Sequence, residues 1–257
     1  MNQHGWLLTL AMAAVWALAP APALAQGAQA TSCVSCHSNP EFRVTNKKLF
    51  DYYRNWNQSV HNQEGVTCTD CHGGNPNART KEAAHGGAEM GAASAGSPVN
   101  YRNIPQTCAT CHDDIYARYR ESRHFRQLLA AKEEQRGPNC VTCHGSVNLQ
   151  VLNVNNIAGT CQHCHNERTG NHPDIPARAE QVLSEFLSIH RFYRYIMLRG
   201  AKVEKQEILD QIERQTKALM IDWHTFDLVA IEKRTRQFVT YLKEKRLEIR
   251  ESRARNP

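Results

Sequence analysis

Five copies of one pattern hold all the cysteine in this chain: Cys33/Cys36/His37, Cys68/Cys71/His72, Cys108/Cys111/His112, Cys140/Cys143/His144 and Cys161/Cys164/His165. Read as cysteines alone, ten residues in Cys-x-x-Cys pairs could form zinc knuckles or a disulfide framework. Neither reading explains the histidine that follows every second cysteine. With 13 histidines in 257 residues, chance puts one there about one time in twenty, so five out of five is a chemical requirement. Cys-x-x-Cys-His is the c-type haem attachment signal. The two thiols add across the haem vinyl groups as thioethers, and the adjacent imidazole reaches the iron. The expected cofactors are five haem c groups, with His37, His72, His112, His144 and His165 as proximal iron ligands.

A second axial ligand must then come from elsewhere. Seven histidines stand outside the five motifs and the N-terminal leader: His61, His85, His124, His163, His172, His190 and His224. Methionine is scarce, with Met90, Met197 and Met220 beyond the leader. Mostly bis-His ligation is expected, with potentials below those of Met/His cytochromes. The distal candidates are His61, His124, His85, His172, His224 and His190. His163 lies between the two cysteines of its own motif, cannot cross to the far face of that haem, and reads as a surface residue.

The elements that must position these groups repeat. In each half a Cys-x-x-Cys-His is followed by a Tyr-bearing helical stretch, then Ser-x-His, then Gly-x-x-Cys-x-x-Cys-His-Gly. The first cysteines are offset by 75 residues (33 to 108) and 72 residues (68 to 140). A two-haem module at 33–74 is thus repeated at 108–146, and the fifth motif follows at 161–165. The repeat makes His61 and His124 equivalent. Within Ser59–Gly74, His61 stands seven residues before Cys68; its tether allows it to serve its neighbour's iron or that of Cys33 and Cys36.

The chain opens on an apolar run, Gly5–Ala19, followed by Pro20, Pro22 and Ala23-Leu24-Ala25. This reads as a signal peptide, residues 1–25, cleaved near Ala25, although its n-region lacks Lys and Arg. A retained anchor is the alternative, but the run is shorter than the ~20 residues a spanning helix needs. Export to the periplasm suits c-type attachment. Cys33 to His165 leaves only about 27 residues per haem, too few for an apolar core around each porphyrin, so the haems themselves should form the core. The formal charge of +6 is offset by the haem propionates and is no nucleic-acid footprint.

Lys47–Asn57 reads as a helix packing Phe50, Tyr52, Tyr53 or Trp56 on a porphyrin. Residues 73–105 read as loop, and Ile115–Ala131 as one helix. The expected fold is mainly α with extensive loop: a haem-cored domain at 26–175, then a C-terminal helical hairpin and charged tail at 176–257. In the hairpin, a helix from about Ile175 is capped by Gly200 and a second of about 40 residues runs from Lys205 to Leu247, with a fraying end.

These residues resemble the multihaem cytochromes c of bacterial respiration. The Ser-x-His before Cys-x-x-Cys-His-Gly, Ile104-Pro105-x-x-Cys108 and the Ala-Ala-His85 loop are similar to motifs of the nitrifier tetrahaem cytochrome, the octahaem hydroxylamine oxidoreductases and the pentahaem nitrite reductases. Many of these relatives place a histidine two residues after a Cys-His-Gly, where this chain has Val147; another histidine must substitute, or one iron keeps an open face. Nitrite reductase proper is disfavoured, because its catalytic motif ends in Lys and its chain is about twice as long. The resemblance implies an electron carrier between a quinol-side donor and a periplasmic or outer-membrane acceptor, whose step needs short haem-to-haem gaps rather than acid–base groups; no nucleic acid is expected as a partner. Association with a membrane complex, and oligomerisation through the C-terminal helices, are further expectations. The rival is an oxidoreductase with one five-coordinate haem acting on a small nitrogen or sulfur compound; a third reading is a structural subunit that docks a larger complex.

Overall fold

A computed structural model describes residues 31–86, 90–130, 137–145, 154–202 and 204–255. The leader and Val147 lie outside these residues. All regular structure among them is helical, and no helix is long and apolar enough to cross a membrane.

The first module holds α1 (Ser32–His37), α2 (Phe42–Thr45), α3 (Lys47–Asn57), α4 (Val60–Gln63), α5 (Cys68–His72) and α6 (Lys81–His85). The last of these interrupts the stretch expected to be loop. Thr80 caps it by accepting from Ala83 N–H, and Gly86 ends it in the left-handed conformation, two local signals that suffice for one turn of helix. The second module holds α7 (Ile104–Cys108), α8 (Asp113–Glu121), α9 (Arg123–Ala130) and α10 (Cys140–His144), and α11 (Ile157–Gln162) carries the start of the fifth motif.

One helix was expected over Ile115–Ala131; two are found. Ser122 is extended (ψ 157°) and ends α8, while its Oγ accepts from Phe125 N–H at 3.0 Å and so caps α9. Ser59 does the same for α4, accepting from Asn62 N–H at 3.3 Å. Both serines are buried, at 6% and 1% exposure. In each Ser-x-His, then, the serine is the cap that turns the chain and the histidine rides in the first turn it starts.

The C-terminal region also differs from the expected hairpin. It contains three helices, α12 (Ile175–Gly200), α13 (Gln206–Asp222) and α14 (Leu228–Arg255). Arg178 pairs with Glu232 and Glu185 with Arg236, and Gly200 meets Ile249, so α12 and α14 run parallel while α13 returns between them. The expected long second helix breaks at Trp223–Thr225, a single 3-10 turn, followed by Phe226 at φ 54°. Asp227 then restarts the helix, its Oδ1 accepting from Ala230 N–H at 3.1 Å. Ile189, Ile196, Leu209, Ile212, Leu219, Phe238, Leu242 and Ile249 form the buried core of this bundle. Gly200 is the last residue of α12 rather than its cap; a Cβ there would lie 3.0 Å from Ile249 Cδ1, so its role is close helix approach. The charged end, expected to fray, stays helical to Arg255 because Ile249 anchors it and Lys245 bridges Glu204 and Glu248.

A second buried cluster, Ile157, Ala179, Val182, Trp223, Leu228 and Ile231, joins the bundle to the fifth motif and sets the Trp223–Asp227 turn beside it.

Candidate functional site

Each motif folds so that its three chemical groups converge. In α5 and α10 the first cysteine is the first helical residue and the histidine the last, which brings both thiols and the imidazole to one side of a single turn. Capping boxes fix both starts: Thr67 with Asp70, and Asn139 with Thr142.

Four of the five proximal histidines face a second imidazole. Ring centres are 6.2 Å apart for His37 and His85, 6.3 Å for His61 and His112, 6.1 Å for His124 and His165, and 6.3 Å for His144 and His224. An iron between two imidazoles, with bonds of about 2 Å and about 1 Å more from nitrogen to ring centre, separates the centres by about 6 Å. The four pairs therefore fit a bis-His iron.

The remaining ring nitrogens are arranged to suit. Nδ1 of His85 lies 2.7 Å from the Lys81 carbonyl, that of His165 2.8 Å from the Asn171 carbonyl, and that of His224 3.2 Å from the Ile221 carbonyl. Donation to a carbonyl requires the Nδ1–H tautomer and leaves the Nε2 lone pair free, as metal-bound histidines require. Burial, followed by the facing imidazole, holds His37 and His61 below the usual histidine range and lowers His124 to about 4. Burial also lowers His224. Neutral imidazoles are the ligating form. Nδ1 of His124 is buried without a hydrogen-bond partner, and its ring packs on Phe226 at 4.6 Å.

The pairs at His124/His165 and His144/His224 share one cavity of about 1370 Å³, also lined by Cys143, Cys161 and Cys164. Phe226 stands between the two, with its ring 6.3 Å from that of His224. The turn carrying both is pinned by Asp222, which binds Arg118 of α8 at 2.8 Å and also Arg234 of α14. Asp222 thereby ties the bundle to the second module just before His224.

The repeat extends further than Ser-x-His. Three residues before each serine an aromatic side chain bonds a carbonyl two residues before the next motif: Trp56 Nε1 to the Val66 carbonyl at 3.1 Å, and Tyr119 Oη to the Pro138 carbonyl at 2.5 Å. Trp56 is one of four residues expected to offer a ring to a porphyrin; its N–H holds the approach to Cys68. Tyr52, from the same expected set, is exposed beneath Lys48. The signal for Trp56 and Tyr119 was present as an aromatic at one position in both halves. Asp222 and Phe226 carried no such signal.

His61 faces neither of the two motifs considered for it from sequence. It faces His112, in the next module, and its equivalent His124 faces His165, in the motif after that. Each Ser-x-His reaches forward to the motif that follows its own module, which gives the fifth motif the place that the third has in the first pairing. His37 is faced by the α6 histidine, His85.

The other histidines stand apart. His172 is exposed at φ 47° in a surface turn, and His190 is exposed on α12 beside Tyr193. Neither is paired with a proximal imidazole: His172 borders the cavity of the fourth and fifth motifs without facing a proximal ring, and His190 lies on the exposed side of α12. His163 is exposed, as expected, with Nδ1 3.2 Å from the Thr160 carbonyl. Among the described residues no imidazole faces His72 at the spacing of the four pairs. Cysteine order completes the geometry. Burial raises Cys68 to about 11, with Cys33 the next contributor; burial raises Cys71, with Cys108 next; a hydrogen bond with Cys140 raises Cys108; and burial raises Cys143 to about 11, with Cys161 and Cys164 next. Successive motifs are neighbours throughout.

The cytochrome c552 family matches residues 50–136, which include the second and third motifs. The C-type polyheme cytochrome OmcB of Geobacter sulfurreducens, from two strains, is 29% identical over 137 residues, covering 50% of this chain and 16% of that protein. The chain thus spans about a sixth of the length of the curated relatives it matches. No solved structure matches. Together these similarities support a multihaem cytochrome c with covalently bound haem and a role in haem-based electron transfer.

Proposed function

We propose that this protein is an exported electron carrier of a respiratory chain, holding five haems c and ligating four of their irons through histidine pairs. The observation that carries this reading is the set of four imidazole pairs at 6.1–6.3 Å. Haem, when bound, supplies one-electron exchange at its iron. The chain's own contribution is attachment, spacing and closure. Paired imidazoles leave no iron position for a substrate, which is the property of a carrier site rather than a catalytic one. The cysteines of successive motifs are neighbours in chain order, and Cys36, Cys111 and Cys164, in the first, third and fifth motifs, are exposed, the first and last of them at the two ends of that series. Those ends are where a quinol-side donor and a periplasmic or outer-membrane acceptor would meet the protein.

Haem quantitation by pyridine haemochrome, with the mass of the purified chain, tests the count. Five haems per chain are expected. A mass consistent with zinc or disulfides and no haem would overturn the reading.

One observation favours the second reading in part. His72 has no facing imidazole among the described residues, so the iron held by Cys68, Cys71 and His72 would keep a face for a small nitrogen or sulfur compound. From sequence, Val147 in place of a ligand leaves one iron, not identified, either open or served by another histidine; His224, facing His144, would be such a substitute. Carbon monoxide binding by the reduced protein discriminates: a spectral change for one haem supports an open face, and none excludes it.

A further inference from the structure

The far end of the three-helix bundle concentrates the positive charge of the chain. Residues 191–205 and 243–255 carry eleven basic and four acidic side chains, an excess of seven, against +6 for the whole protein. The charge is arranged, not scattered. Arg246 of α14 lies over the rings of Phe192 and Tyr195 of α12, at 5.7 and 5.4 Å. Lys243, Arg246, Arg250 and Arg253 follow at helical spacing along one side of α14, and Arg199 continues the line of Phe192 and Tyr195 on α12. Because Ile249 packs on Gly200, the last turns of α14 project past the end of α12, beside Lys202. Of these six cations all but Arg253 are exposed, and among the described residues none forms an ion pair. The nearby Lys245 is different, being half-buried between Glu204 and Glu248.

Apolar side chains flank the stripe. Leu198 is 74% exposed and Leu247 45% exposed. Unpaired cations in a line, with an aromatic platform and exposed leucines beside them, suit a surface of anionic headgroups over hydrocarbon. We infer that this end of the bundle docks on an anionic phospholipid surface. The stripe follows two parallel helices. α12 has 26 residues and is about 40 Å long, with the haem-motif region packed at its opposite end through α11 and the Trp223 cluster. Docking at the tip would hold the lipid about that far from the nearest iron sites and leave them free for redox partners. The inference is independent of how the irons are ligated.

Co-sedimentation of the holoprotein with vesicles of phosphatidylglycerol and phosphatidylcholine, against phosphatidylcholine alone, tests it. Binding is expected only with phosphatidylglycerol, and should vanish at about 0.5 M salt, where the screening length falls to a few ångströms. The R199E/R250E variant should bind at least about tenfold more weakly, with its haem spectrum unchanged. If that variant does not fold, R246Q and the salt dependence of the native protein decide. Absence of binding at low salt, or equal binding to both vesicle types, would overturn the proposal. Tighter binding to soluble polyaspartate than to phosphatidylglycerol vesicles would also overturn it, in favour of an acidic protein surface.

Discussion

The imidazoles of His61 and His112 face each other with ring centres 6.3 Å apart, although His61 stands in the first module and His112 belongs to the opening motif of the second. Across this pair the two modules become one body: an iron held there would be bonded to both. The same forward reach from His124 to His165 joins the second module to the fifth motif.

Replacement of His61 should therefore affect a distant motif and spare its neighbour. In H61A we expect one haem in five to become high-spin, namely that on Cys108 and Cys111, while the haem on Cys68 and Cys71 is unchanged. Magnetic circular dichroism counts the spin states, and comparison with H112M identifies the affected site. An altered Cys68 haem would contradict the pairing.

Asp222 should act as a positioning residue for His224. In D222N the ties to Arg118 and Arg234 lose their charge, and stability should fall by about 1–3 kcal/mol. Thermal unfolding measures that loss. A merely structural role would stop there; positioning predicts in addition a high-spin, carbon monoxide-binding fraction at the His144 haem.

Gly65 and Gly137 occupy equivalent places before the second and fourth motifs, yet should differ on substitution. Both have positive φ, 81° and 95°, but a Cβ on Gly137 would lie 2.3 Å from Leu128 N, whereas nothing lies within 4 Å of one on Gly65. G65A should lose about 1–2 kcal/mol from backbone conformation. G137A must also displace the α9 backbone, and should lower the yield of holoprotein or reduce its melting temperature well beyond that of G65A.

The conserved-geometry aromatics can be separated in the same way. Y119F removes a donor to the Pro138 carbonyl from a buried ring, and W56F removes the donor to Val66. Each should reduce stability by about 1 kcal/mol, read by chemical denaturation, without changing the number of low-spin haems.

Much of this site was legible because its chemistry is local. Cys-x-x-Cys-His needs one turn of helix, and Ser-x-His needs a cap, so residue order alone exposes both. The duplication showed that His61 and His124 share a role. It could not show which iron each serves, since the direction of reach depends on how Trp56 and Tyr119 fold the chain back onto Val66 and Pro138. His224 was one of several candidates until the helix break at Trp223–Asp227 placed it opposite His144. That break itself had a local sign, Asp227 before an apolar run, but helical periodicity on both sides concealed it. His190 shows the converse: periodicity placed it on a helix, and only packing showed that its side faces solvent.

The central claim is a protein with four histidine-paired irons and one, at His72, that no imidazole of the described residues faces. Electron paramagnetic resonance of the fully oxidised holoprotein, quantified against total haem, tests it most directly. The account predicts four low-spin signals and one high-spin signal, with the high-spin signal abolished by a ligand such as cyanide. Five low-spin haems, or more than one high-spin haem, would contradict it.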